Sequence, residues 1–127
     1  MEQSCKHILA QLKVAESRKK KKLIILTTNN GFTLLNFLWS EGFIYGYYRI
    51  GLQAIVFLKY YITGRGFFLT LHICDQRLVT TQRLKSLYFL NRNNFYIVLT
   101  VGGIFSLDFC IKKKLGGSVI CQLLKGV

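Results

Sequence analysis

The apolar positions of this chain follow two rhythms. Cys5, Ile8, Leu9, Leu12 and Ala15 recur at intervals of three and four, which predicts an amphipathic helix with Lys6, Gln11 and Lys13 on its other faces. Residues 23–27 form a short apolar run that reads as a strand. Asn29 or Asn30 can cap a second helix, which Phe32, Leu35 and Leu38 carry inward to about Ser40. Gly42 can end that helix in the left-handed conformation. Phe43 and Ile44 then open a strand through Tyr45, Tyr47, Tyr48 and Arg49, and Gly51 turns the chain into residues 52–60.

The second half is dominated by a period of two. Thr63-Gly64-Arg65-Gly66 reads as a loop between lobes. Beyond it Phe67, Leu69, Leu71 and Ile73 alternate with Phe68, Thr70, His72 and Cys74, which predicts a strand. Leu78-Val79-Thr80 suggests a further short strand. Residues 81–90 suit a helix with Arg83 and Lys85 outside, residues 91–94 a turn, and residues 95–100 a strand. Two glycine pairs, Gly102-Gly103 and Gly116-Gly117, then bracket a basic segment. Ser106 can cap a short helix there carrying Lys112, Lys113 and Lys114, and residues 118–124 close the sheet. These elements predict an α+β protein of two small lobes. Residues 1–62 place two helices on a short sheet, and residues 67–127 form a mostly β lobe with a short helix.

Charge narrows the function. Eighteen Lys and Arg stand against five acids, for a net +13 at pH 7. Such a chain repels itself unless a polyanion balances it, so nucleic acid is the first candidate partner and an anionic membrane surface the second. Hydrophobic residues make up 51%, enough for a core. The chain has no proline and is rich in Phe, Tyr, Ile, Leu, Lys and Asn, a usage that fits an A+T-rich coding sequence of the organellar kind.

Other chemistries find little support. Cys5, Cys74, Cys110 and Cys121 form no C-x-x-C pair, and His7 and His72 stand alone, so the cysteines read as free thiols and no metal site is expected. Glu2, Glu16, Glu41, Asp75 and Asp108 suggest no catalytic pair, and no phosphate-loop, nucleophile-elbow or metal-helix motif appears. We expect no enzyme, no cofactor and no small-molecule substrate. No segment reads as a secretory signal. Residues 23–40 carry no charge, but Thr27-Thr28-Asn29-Asn30-Gly31 at their middle is ill suited to hydrocarbon, so no membrane span is expected.

Two basic segments remain. Arg18, Lys19, Lys20, Lys21 and Lys22 form a run that is either a solvated loop or a phosphate contact; cations on a phosphate backbone gain from counterion release whatever the sequence. The glycine-bracketed segment at residues 98–121 is either a basic helix with ordinary turns or a device presenting backbone N–H groups and lysine charge together. The latter segment resembles the C-terminal signature of the bacterial-type eighth protein of the small ribosomal subunit. In that family a strand enters Ser-Thr-Ser-Lys-Gly, followed by a short helix and Gly-Gly-Glu-Val-Leu-Cys. Thr100 and Gly103 match the first motif, with Leu99, Val101 and Gly102 replacing the two Ser and the Lys. Gly116, Gly117, Val119, Ile120 and Cys121 match the second, with Ser118 in place of Glu.

The resemblance spans most of the chain in one register, with one adjustment after Cys74. Glu41-Gly42-Phe43-Ile44 equals the family's Glu-Gly-Phe-Ile, while Leu9, Leu12, Lys13 and Ala15 fit its opening helix, where Gln11 and Val14 replace an Arg and an Asn. Thr28 keeps a hydroxyl where the family has Pro-x-Ser-Lys. Cys74 and Asp75 depart from its Ser-Lys. The resemblance implies a structural protein that binds the central domain of small-subunit rRNA beside neighbouring small-subunit proteins, supporting assembly and translation. With the organellar composition it implies a ribosome of the mitochondrial matrix, a plastid ribosome being the alternative. RNA contacts are then expected from Lys13, residues 18–22, Thr28, Thr100, Val101, Gly102, Gly103, Ser106, Lys112, Lys113, Gly116, Gly117 and Ser118. The alternatives are a peripheral membrane-surface protein and a general nucleic-acid binder.

Overall fold

A computed structural model of the chain describes residues 2–60, 68, 71–79, 82–83, 85–86 and 94–124. Contacts divide it into two units, Met1–Leu69 and Thr70–Val127. Each combines helix with an antiparallel sheet, so the fold is α+β.

In the first unit α1 (Glu2–Ser17), β1 (Lys22–Leu26), α2 (Asn29–Ser40), β2 (Ile44–Ile50) and β3 (Gln53–Leu58) follow in order. The sheet runs β1-β3-β2. Both helices pack on its inner face. The predicted stripe of α1 is the buried one: Cys5, Ile8, Leu9, Leu12 and Ala15 meet Phe32, Leu34, Leu35 and Leu38 from α2 and Ile25, Ala54, Val56 and Leu58 from the strands. Alternation along β3 buries Ala54, Val56 and Leu58 and turns Gln53, Ile55 and Phe57 outward. The outer face carries apolar rows: Ile24 opposes Ile55, which opposes Tyr48, and Leu26 and Ile50 flank Gln53. Ile24, Leu26, Tyr48 and Ile50 are exposed.

Helix α2 ends as its sequence predicts. Gly42 sits at φ +82°. Its N–H donates to the Trp39 carbonyl at 3.1 Å and that of Phe43 to Leu38 at 2.9 Å, the paired bonds that satisfy a helix C-terminus. A two-residue turn, Gly51-Leu52, joins β2 and β3.

The second unit contains β4 (His72–Val79), β5 (Asn94–Thr100), β6 (Gly103–Ser106), α3 (Leu107–Lys112) and β7 (Gly117–Leu124), in sheet order β4-β7-β5-β6. Tyr96, Val98 and Val119 form a core with Leu107 and Cys110 of α3, and Phe105, Ile111 and Leu115 pack against it. Ile97, Ile120, Cys121 and Leu123 are buried as well, as interior strands require.

Several details depart from the sequence reading. Thr28, rather than Asn29 or Asn30, is the N-cap of α2, and it caps without a side-chain bond. The Asn29 Oδ1 instead accepts from Arg49 Nη2 at 2.8 Å. Of the strand expected over residues 67–74, Phe68 and Leu71 are not strand, Phe67, Leu69 and Thr70 lie outside the described residues, and His72 to Cys74 belong to a strand that continues through Leu78 to Val79 of the separately expected one, whose Thr80 also lies outside the described residues; register shifts occur either side of Gln76. β7 lies inside the sheet rather than closing it. Only Lys112 of the lysine triplet belongs to α3. Of the helix expected over residues 81–90, Gln82, Arg83, Lys85 and Ser86 are helical and exposed. The rest of that helix, the loop at residues 63–66, and Asn91 to Asn93 lie outside the described residues.

Candidate nucleic-acid interface

The basic run at residues 18–22 owes its shape to how α1 stops. Lys19 takes the left-handed conformation, φ +54°, where glycine is usual. The N–H of Lys19 donates to the Glu16 carbonyl at 2.9 Å and that of Lys20 to Ala15 at 3.0 Å. Lys20 and Lys21 are then fixed by their carbonyls, which accept from the Tyr60 hydroxyl at 2.6 Å and the Leu58 N–H at 2.9 Å. Lys22 starts β1 opposite Phe57. The backbone is therefore pinned while Arg18, Lys19, Lys20, Lys21 and Lys22 remain exposed.

Other expected contacts in this unit differ in setting. Lys13 is half-buried on α1 and already engaged. Thr28 is exposed at the start of α2, its carbonyl accepting from Gly31 and Phe32. Tyr47 packs inward: it stacks on Phe32, meets Trp39 edge-on and donates to Asn36 Oδ1 at 2.6 Å. Tyr45 and Tyr48 are exposed, with Lys59 Nζ 5.8 Å from the Tyr45 ring centroid.

In the second unit Gly117 packs against the strand end that leads into the first glycine pair. Thr100 pairs with Gly103 across a two-residue turn, Val101-Gly102, and Val101 is fully exposed. Gly103 takes φ +134°. The Thr100 hydroxyl donates to the Gly103 carbonyl at 3.0 Å, so it holds the turn and keeps only acceptor capacity for a ligand. Across the ladder Ser118 opposes Leu99, and Gly117 packs against Leu99 and Thr100.

The chain then reaches α3 through β6. Ser106 caps the helix by accepting from the Phe109 N–H at 3.3 Å, which leaves its hydroxyl proton to donate elsewhere. Phe105 stacks on Phe109, with ring centroids 4.5 Å apart. Helix α3 ends like α1, with Lys114 at φ +56° and Leu115 N–H on the Cys110 carbonyl at 2.8 Å. Lys112, Lys113 and Lys114 are exposed and lead directly through Leu115 into exposed Gly116 and then Gly117. Turn, lysines and glycine pair thus adjoin through the β5–β7 ladder.

Three features escaped the sequence reading. Lys19 and Lys114 as left-handed residues carry no signal, because glycine is the usual marker. Glu16 is buried and accepts the Phe68 N–H at 2.9 Å, although a lone acid beside a cationic run suggests a surface residue. His7 and Gln11 line one groove of about 330 Å³ with Arg18 and Lys20. Only their four-residue helical spacing hinted at that.

Burial, and secondarily the charge of Glu16, pushes the Tyr60 phenol above its ordinary range. Burial likewise raises the Cys110 thiol. Cys5, Cys110 and Cys121 are buried and outside any disulfide. Among the described residues no His, Cys, Asp and Glu cluster could hold a metal ion, and no helix is long and apolar enough to cross a membrane. The sequence matches no protein-family model and no curated protein.

Proposed function

We propose that this protein is a structural constituent of a small ribosomal subunit, in an organellar ribosome of mitochondrial or plastid type. It binds the central domain of the small-subunit rRNA beside neighbouring ribosomal proteins and acts by binding alone. One observation carries the reading. The Thr100–Gly103 turn, the Gly116-Gly117 pair and the lysine triplet adjoin in one unit of a protein with net charge +13.

Lysine and arginine charges neutralise phosphates and set position without reading sequence. The exposed turn offers peptide groups and the Thr100 acceptor to a shaped site, and Ser106, at the other end of β6, adds a hydroxyl donor. RNA is commonly recognised by shape, by its 2′-hydroxyls and by unstacked bases. A second reading rests on the exposed apolar face of the first sheet: a peripheral protein on anionic lipid, with residues 18–22 at the headgroups.

The test is binding to a central-domain rRNA fragment across a salt series, with unrelated RNA and anionic vesicles as competitors. Tight binding that resists both competitors is expected. Equal affinity for both RNAs, lost steeply with salt, would reduce the protein to a general polyanion binder. Displacement by vesicles would favour the lipid reading.

A further inference from the structure

The two edges of the first sheet are built differently. β2 carries a register shift between Ile44 and Gly46, and irregularities of this kind keep an edge from pairing with another chain. β1 pairs with β3 without interruption from Lys22 to Leu26, and the chain holds no proline to block it. The ladder also fixes which way the peptide groups of β1 face. The N–H of Leu58 donates to the Lys21 carbonyl at 2.9 Å and that of Thr27 to Leu52 at 2.8 Å. Leu23 and Ile25 therefore bond to β3, and the N–H and C=O groups of Lys22, Ile24 and Leu26 face the open edge.

The surroundings of that edge define its partner. On one side Ile24 and Leu26 are exposed and continue onto the apolar outer face. On the other, Leu23 joins Ala10 and Val14 of α1 in lining an open groove. A strand laid along β1 sends alternate side chains over each. Charge selects among strands. Arg18 and Lys20 line the groove, Lys21 and Lys22 lead into β1, and residues 17–26 include no acid. A strand bearing Asp or Glu is favoured, and a second copy of this chain, at net charge +13, is opposed. RNA does not complete such an edge, because its backbone has no alternating N–H and C=O groups. We infer that β1 receives an extended, acid-bearing segment of a neighbouring protein, which joins the first sheet as a fourth strand. Its alternate side chains cover the apolar groups on either side of the edge, and its acidic end meets Arg18 to Lys22. In such strand addition main-chain bonds give affinity and side chains give specificity. The inference takes its partner class from the ribosomal reading and assigns that partner a place on the chain.

The experiment uses the full chain and three synthetic peptides of about nine residues. The first alternates Val and Thr, which favour strands, and ends in Glu-Glu-Asp. The second has the same charge but proline at alternate positions, so it cannot join a ladder. The third ends in Lys-Lys-Lys. The first should bind, and the other two at least about tenfold more weakly, the scale of a lost main-chain bond. Residue-resolved amide exchange of the wild type needs no variant. With the first peptide the N–H groups of Ile24 and Leu26 should exchange about tenfold more slowly, while those of Leu23 and Ile25, already bonded to β3, stay unchanged. Ile24→Pro, tolerated on an edge whose N–H faces outward, should weaken peptide binding about tenfold. Equal binding of the proline-bearing peptide would show charge acting alone and overturn the inference. Protection of Ile24 and Leu26 by the rRNA fragment, by anionic vesicles, or by raised protein concentration without peptide would overturn it too. If the first peptide fails to bind while the fragment binds tightly, the strand inference is wrong and the ribosomal reading survives. If the peptide gives the expected exchange pattern but the fragment is not preferred over unrelated RNA, the strand inference stands and the ribosomal reading falls.

Discussion

Gly117 lies so close to the carbonyl oxygen of Leu99 that a Cβ on it would overlap that atom. The contact is with backbone inside a hydrogen-bonded ladder, so the neighbour cannot swing aside. Gly117→Ala is expected to cost about 1–3 kcal/mol, as overpacking does, and to disturb the adjoining Thr100 turn. Gly102 is the control: its nearest neighbours stand at 3.9 Å, so Gly102→Ala should change stability by less than about 0.5 kcal/mol. Urea unfolding of the two variants measures the difference. An equal effect would mean that the close approach is not a constraint.

Two helix ends are closed by lysine where glycine would be relaxed. Left-handed backbone costs an L-residue roughly 1–2 kcal/mol, of which glycine's greater freedom in the unfolded chain offsets about 0.5–1. Lys19→Gly and Lys114→Gly should therefore gain about 0.5–1 kcal/mol of stability. Each also removes a cation from a basic run. If that cation meets a phosphate, the slope of log affinity against log salt should fall by about 0.7–0.9. A more stable protein with a weaker salt dependence is the expected pair of results. A stability gain with an unchanged slope would take that lysine out of the interface.

The junction of Glu16, Tyr60 and Phe68 makes stability depend on alkaline pH. The Tyr60 phenol is held above its ordinary 10.0 and donates to the Lys20 carbonyl, a bond that needs the proton. An unfolded tyrosine ionises near pH 10. The stabilisation is thus complete below about pH 10 and is lost as pH rises through the raised folded value. Wild type should lose stability over that window faster than Tyr60→Phe, measured by urea unfolding from about pH 8 upward. Glu16→Ala should cost about 1–3 kcal/mol at neutral pH by stranding the Phe68 N–H, whereas Glu16→Gln keeps an acceptor and should cost less.

What could be read from the chain was whatever one residue type decides alone. The stripe from Cys5 to Ala15 has a single way to be buried. Gly42 and Ser106 do what their chemistry favours at a helix end and a helix start. What escaped depends on a distant partner. Asn29 does not cap; its side-chain Oδ1 accepts from Arg49, arriving from β2. The strand from His72 to Val79 carries register shifts against its partner β7. At the candidate interface the lysines and glycine pairs were visible as letters. That Thr100 spends its hydroxyl on Gly103, and that Gln11 reaches a groove with Arg18, depended on folding.

The uncovered outer face of the first sheet sets a colloidal limit on this protein. Four strongly exposed apolar side chains, Ile24, Leu26, Tyr48 and Ile50, share it. Self-repulsion at net charge +13 opposes contact between copies, but over a range that shrinks from about 10 Å in 0.1 M salt to about 3 Å in 1 M. The same repulsion vanishes when a polyanion neutralises the chain. Whatever cancels the charge therefore also removes the barrier to face-to-face association, so neutralisation and covering of this sheet have to proceed together for the protein to stay dispersed.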